Sequence, residues 1–237
     1  MTESSTPGIQ GSTSPLPAAL REALERDSRP VRPVLPSGVR ALFIALAALA
    51  VAAAAFNLRG LRSDHQSLGP VLLWVPALIR IAAGAALIFL AMREGIPGQG
   101  APTPLRTAAL LGAPALLIVL AEWLAAGAMS EMTEMPMMAG RSAWMCFPRE
   151  LLAALPAALL LCVLLARAYP LRPVFAAVAG AFGVGLMADA ALHLTCPATS
   201  LSHTLLVHGG AVAALAITAA VAGWGFGRLR LRPRSSL

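Results

Sequence analysis

The chain has 237 residues, of which 58% are hydrophobic and only 12% are charged. Soluble domains usually carry about 25% charged residues, so this composition excludes an ordinary soluble globule and indicates lipid as the solvent. The formal net charge is +7, but the basic residues lie between apolar runs and at the C-terminus, which is typical of membrane proteins. No nucleic-acid-binding motif is visible, so direct binding to nucleic acid is not expected.

Residues 1–38 form the first predicted unit, a soluble tail with a polar lead. A short helix is predicted over residues 15–26, because Leu16, Leu20 and Leu24 recur every four residues and share one face. A tail this small cannot fold alone. We expect its apolar face to order in the groove of a partner or to lie on the membrane surface.

Six apolar segments follow the tail, and each is long enough to cross a hydrocarbon core of about 30 Å as a helix. The predicted spans are residues 39–56, 70–92, 105–126, 147–168, 174–194 and 205–226. Because the first of them does not follow a short basic start, no secretory signal peptide is expected. The predicted fold class is all-α: a polytopic membrane protein with six transmembrane helices over 39–226 and a basic tail over 227–237.

The arginines predict the orientation of these spans. If the N-terminus is cytoplasmic, thirteen arginines flank the spans on the inner side and four on the outer side, while Arg80 lies within the second span. The excess of basic residues on cytoplasmic loops therefore predicts both termini in the cytoplasm and three loops outside. The expected location is the bacterial inner membrane.

Two of the three cysteines are predicted to meet at the outer face. Cys146 is 22 residues before Ala168 and Cys196 is 23 residues after Pro173, so each lies about 33 Å along a helix from the same tight turn. The compartment outside the inner membrane is oxidising. Three interpretations stay open for the pair: a structural disulfide, a redox- or metal-sensing pair, or two unconnected residues. Cys162, within the fourth span, is interpreted as a small apolar residue.

Soft ligands surround this pair in the sequence. Methionines cluster in the preceding loop, where Met132 and Met135 are the candidate ligands, and His193 and His203 flank Cys196. Thioethers and thiolates favour Cu(I), and Cys with His suits zinc or copper. The sequence thus predicts no constitutive cofactor but leaves open a regulatory copper or zinc ion. The alternatives are a flexible apolar loop and polar residues at the membrane boundary.

Charged residues within spans are costly and need partners. Arg80 lies in the second span, Glu122 in the outer part of the third and Asp189 in the outer part of the fifth. We expect Arg80 to form an ion pair with one of the two acids. No catalytic motif is recognisable, so an enzyme is not predicted.

Two stretches resemble NrsF-like membrane proteins. One runs from Leu20 to Pro33 before the first span, and the other runs from Cys146-Phe147-Pro148-Arg149-Glu150 to His193-Leu194-Thr195-Cys196-Pro197. These proteins are six-span anti-sigma factors that hold an extracytoplasmic-function sigma factor at the inner membrane. The resemblance implies that the N-terminal segment binds the sigma factor and that the outer cysteines sense metal or oxidant stress and release it. The partner-binding residues expected from this are Leu16, Leu20, Leu24, Arg29, Pro30 and Val31.

Two other functions compete with this interpretation. A small inner-membrane transporter or metal-export accessory would need a polar, water-filled path, and the spans contain few polar residues. A membrane redox enzyme would need a bound quinone, haem or flavin, and no paired intramembrane histidines indicate haem. Regulation of transcription under stress is therefore the favoured function, and a sigma factor and membrane lipid are the expected partners.

Overall fold

The computed structural model describes residues 17–27, 35–96, 98–129, 144–198 and 200–231. The chain divides into two units, Met1–Val34 and Leu35–Leu237. Every regular element within the described residues is helical. This agrees with the all-α prediction.

In the first unit, helix α1 spans Ala18–Asp27. Leu20 leaves 47% of its surface exposed, and the neighbouring described side chains of this helix are exposed as well. Leu16, Arg29, Pro30 and Val31 lie outside the described residues, as does the side chain of Leu24. Leu20 is thus an exposed apolar residue on a short helix.

Within its described residues, the second unit contains six long helices. They are α2 (Ser37–Arg59), α3 (His65–Arg93), α4 (Thr103–Met129), α5 (Cys146–Ala168), α6 (Pro173–Thr195) and α7, which runs as Leu201–His203, a π-helical turn Thr204–Gly209, and Gly210–Leu231. All six are long and apolar enough to cross a membrane. Six helices that could cross a membrane thus lie where six spans were predicted, and they indicate a membrane protein. The helices extend a few residues beyond most of the predicted bounds, because polar residues at their ends continue the backbone hydrogen bonding.

Helix α3 contains a break at the point where its span was predicted to begin. Gly69 has φ +73° and ψ 163°, a conformation that is essentially restricted to glycine. Pro70 follows, and a proline disfavours helix in the residue before it. The turn 65–68 is therefore a separate piece that leads into the span.

Helix α6 is the centre of this unit. In its most apolar 18-residue stretch 72% of the residues are buried, against 17–39% in the other five spans. It packs against α3, α7, α5 and α2, and it crosses α3 so closely that a Cβ added at Gly183 would lie 2.6 Å from the carbonyl oxygen of Gly84. Small residues permit such close crossings in membranes. The central helix therefore depends on glycine at the crossing.

The largest apolar core among the described residues joins α2, α3, α5 and α6. Ile44 of α2, Leu161 of α5 and Val184 of α6 are among its buried members. A short connection links the last two of these helices, beginning at Tyr169 in the left-handed conformation. The short connection makes α5 and α6 antiparallel neighbours, so the start of α5 and the end of α6 lie at the same end of the bundle.

Candidate functional site

The two cysteines at that end of the bundle lie side by side. Cys146 is the first residue of α5, and Cys196 directly follows α6. Their Sγ atoms are 3.4 Å apart, both side chains are buried, and both are free thiols. The helix lengths and the short connection bring these residues together, whereas Cys162 is exposed on α5, away from them.

Two histidines of α7 complete this group, which we call the cysteine site: Cys146, Cys196, His203 and His208. The Nε2 atom of His203 lies 3.5 Å from the Sγ atom of Cys196. One ligand atom from each of the four residues lies within 4.8 Å of the other three, and all four residues are buried. Two thiols and two imidazoles in this arrangement offer a mixed sulfur and nitrogen donor set.

The sequence interpretation missed His208 because it assumed α-helical periodicity. Residues five apart in an α-helix point about 140° away from each other. Here His203 directly precedes a π-helical turn that contains His208, and the hydrogen bonds of such a turn join residues five apart. The two rings consequently lie on the same side, with centroids 5.2 Å apart and planes at 70°. The H-x4-H spacing was visible in the sequence, but no sequence pattern indicated the π turn.

His193, a predicted ligand candidate, has a different role. Its Nε2 atom lies 3.1 Å from the carbonyl oxygens of both Leu72 and Leu73 in α3. Pro76 lies four residues after Leu72 and has no N–H to donate, so the Leu72 carbonyl lacks its helical partner. His193 satisfies the exposed carbonyls of this proline kink, and it is not a member of the cysteine site. That His193 binds a metal ion stays a prediction, and its contacts here are to backbone carbonyls.

A second group, the buried charge cluster, lies next to the cysteine site and consists of Arg80, Glu150, Asp189 and His208. The Nε atom of Arg80 is 2.5 Å from Oδ2 of Asp189. The Nδ1 atom of His208 is 3.1 Å from Oδ1 of Asp189 and 3.1 Å from Oε2 of Glu150. Four helices contribute one residue each, so the cluster ties α3, α5, α6 and α7 together.

The structure chooses between the two acids expected to pair with Arg80. Asp189 contacts it, and both side chains are buried. Glu122 lies on an exposed face of α4, outside the cluster. Glu150 was not predicted as a charged partner, although helical spacing gave a signal: it lies four residues after Cys146, on the same face of α5.

A third polar contact connects the loop after α2 with the end of α6. Arg62 is buried, and its Nη2 donates to the carbonyl oxygen of Pro197 at 3.0 Å. Asp64 pairs with the same guanidinium, at 2.5 Å from Nε. The backbone N–H of Arg62 also donates to the carbonyl of Leu194 at 3.0 Å. These bonds hold the segment that carries Cys196.

Cys196 lies directly after the last residue of α6 and next to Cys146. The contact with Cys146, followed by burial, raises the pKa of the Cys196 thiol above its ordinary value. A thiolate is the form that reacts with oxidants and binds metals. Met132 and Met135, the candidate ligands from the preceding loop, lie outside the described residues.

Comparison with known protein families identifies the family of this chain. A family model described as NrsF, negative regulator of sigma F, matches residues 24–229. No curated protein and no solved structure matches the chain. The match covers all six spans and both groups of buried polar residues. The family is one of regulators, and its description implies that a sigma factor is the partner. The chain therefore belongs to the NrsF family of negative regulators of sigma factors.

Proposed function

We propose that this protein is an anti-sigma factor of the bacterial inner membrane. Its N-terminal segment holds an extracytoplasmic-function sigma factor on the cytoplasmic side, and a change at Cys146 and Cys196 on the periplasmic side releases it. The change is binding of a metal ion or oxidation of the thiols. The observation that carries this proposal is the 3.4 Å separation of two buried thiols that lie 50 residues apart in the sequence.

The arginine distribution supports this orientation. Arg93, Arg167 and Arg172 lie at the ends of helices opposite to the cysteine site, and Arg228 lies near the end of α7. Basic residues accumulate on the cytoplasmic side of membrane proteins. The cysteines then face the periplasm, an oxidising compartment in which thiol chemistry can report stress.

Packing between α2 and α5 supports communication between the two sides. Cys146 begins α5, and further along the same helix Leu161 belongs to the core that also contains Ile44 of α2. Helix α2 follows the N-terminal segment directly. Because packed cores shift between discrete arrangements and do not deform continuously, a displacement of α5 at its cysteine end reaches the helix to which the sigma-binding segment is attached.

The transporter alternative receives little support from the polar interior. The cavity bordered by Arg80, Asp189, His193 and Cys196 holds about 10 Å³, which is no more than the volume that one water needs. Arg80, Glu150, Asp189 and His208 contact one another around this small cavity. A closed cluster suits a relay between helices better than a passage for solutes.

The partner-binding half of the proposal is tested on α1. Leu20→Asp places a charge on the apolar face, and we expect the detergent-solubilised protein to lose its cognate sigma factor in a pull-down. Ala18→Asp is the matched control, because Ala18 lies about 200° around the helix from Leu20 and is also exposed. Equal retention of the sigma factor by both variants would refute binding through this face.

The sensing half is tested in cells with a sigma-dependent reporter. Cys146→Ser and Cys196→Ser should each abolish induction by metal or oxidant, because each removes one of the paired thiols. Cys162→Ser changes an exposed cysteine of the same helix and should leave induction intact. Normal induction in both site variants would contradict the proposal.

A further inference from the structure

We propose that Cys146, Cys196, His203 and His208 form one tetrahedral site for a divalent d10 ion of the zinc class. The inference deepens the proposed function by naming the ligand of the sensor, and its regulatory meaning rests on that function. Binding of the ion itself rests on the distances between the donor atoms, on the carboxylates that contact His208, and on the charge of the site.

The geometry fits a single small ion. Zinc–sulfur bonds of about 2.3 Å and zinc–nitrogen bonds of about 2.0–2.1 Å place tetrahedral ligand atoms about 3.3–3.8 Å apart. The two sulfurs are 3.4 Å apart, and Cys196 Sγ is 3.5 Å from His203 Nε2. One ligand atom of His208 lies within 4.8 Å of these three atoms. The four donors therefore need only small rotations to enclose an ion.

The surroundings of His208 resemble the support that metal-binding histidines receive. Its Nδ1 lies 3.1 Å from one oxygen each of Glu150 and Asp189, which leaves Nε2 as the nitrogen available to an ion. A carboxylate on the far nitrogen fixes the tautomer of a ligating histidine and strengthens it as a donor. The buried Glu150 also has an Oε1 atom without a hydrogen-bond partner among the described residues. A cation bound at the cysteine site would stabilise the buried carboxylates of Glu150 and Asp189 electrostatically.

The charge balance favours a divalent ion. Binding converts two thiols to two thiolates, releases two protons to the medium and adds two positive charges, so the occupied site is neutral. Among the neighbouring charged groups, Arg80 pairs with Asp189 and Arg62 with Asp64, while Glu150 contacts His208 itself. A buried site tolerates net charge poorly. Cu(I) on the same two thiolates would leave one more negative charge at the site than a divalent ion does, so the divalent ion is favoured over the copper ion that the methionine cluster suggested.

The ion would join three helices at one end of the bundle. Its ligands come from the start of α5, the residue after α6 and the beginning of α7. Through His208 the same site contacts Asp189, and through Asp189 it contacts Arg80 of α3. Occupancy is thereby linked to the buried charge cluster by direct contacts.

The test uses the purified, reduced, full-length protein in detergent with Co(II) as a spectroscopic probe and Zn(II) as competitor. We expect one equivalent of Co(II) to bind with the strong visible bands of a tetrahedral complex and a thiolate-to-cobalt charge-transfer band, both lost on adding zinc. Cys146→Ser should about halve the charge-transfer intensity. His208→Ala should lose the tetrahedral visible bands. Glu150→Gln, which removes no ligand, should weaken binding by about 10–100-fold.

Two control variants and one measurement on the unchanged protein complete the test. Cys162→Ser and His65→Gln, which lie outside the site, should bind as the unchanged protein does. In the unchanged protein, zinc should protect Cys146 and Cys196 from alkylation while Cys162 remains reactive. Absence of Co(II) and Zn(II) binding, binding of Cu(I) alone, or cobalt spectra unaffected by His208→Ala would each overturn the proposal.

The outcome can be separated from that of the proposed function. If Zn(II) binds as described but does not change retention of the sigma factor, the site stands and the sensor function fails. If an oxidant releases the sigma factor from protein that binds no metal, the sensor function stands and the metal site fails.

Discussion

The close crossing of α3 and α6 gives a prediction whose size follows from the distances. Gly183→Ala would place a Cβ 2.6 Å from the carbonyl oxygen of Gly84 and 2.8 Å from Cγ1 of Ile88, where 3.4 Å is an ordinary contact. The helices would have to separate by about 0.8 Å, the difference between 3.4 and 2.6 Å. Overpacking of this kind costs about 1–3 kcal/mol. The obstacle includes backbone atoms, which cannot rotate away.

The measurement is the free energy of unfolding in mixed micelles, followed by tryptophan fluorescence. Gly112→Ala in α4 is the matched control, because a Cβ there meets nothing within 4 Å and alanine in a helix is favoured over glycine by about 0.5–1 kcal/mol. We expect Gly183→Ala to destabilise the protein and Gly112→Ala to stabilise it or leave it unchanged. Equal stability of the two variants would show that the helices do not cross as closely as described.

Two further substitutions test the buried polar contacts by the same measurement. Asp189→Asn leaves the buried Arg80 without its counter-ion and should destabilise the protein by about 3–5 kcal/mol. The double variant that also carries Arg80→Gln should recover part of that loss. An Asp189→Asn variant as stable as the unchanged protein would contradict the ion pair. His193→Phe removes the donor to the Leu72 carbonyl and should cost about 1–3 kcal/mol, and a neutral result would mean that the carbonyls at the Pro76 kink have another partner.

Hydropathy was sufficient to predict the six spans because each must satisfy its backbone within itself, which makes the signal local. The tight connection at Tyr169 likewise follows from the short linker between α5 and α6. These two properties together indicated that Cys146 and Cys196 lie at one end of the bundle. Both properties depend only on the lengths and compositions of the spans and the linker, which can be read from a single sequence.

The neighbours of these residues could not be derived in the same way. Nearly all faces of α6 are apolar and buried, so periodicity does not say which side meets which helix, and Asp189 alone does not choose between partners. His208 lies in the cysteine site because of a π turn that no sequence pattern indicates. His193 lies outside it because it contacts the carbonyls at the Pro76 kink of α3. Such assignments depend on packing between distant segments.

The composition of α6 has a consequence for how the protein is made. This helix carries Asp189 and His193, and polar groups inside a membrane are costly until they find partners. Those partners, Arg80 and the carbonyls of Leu72 and Leu73, belong to α3. Because α3 is synthesised before α6, the order of the helices along the chain makes these partners available when α6 enters the membrane.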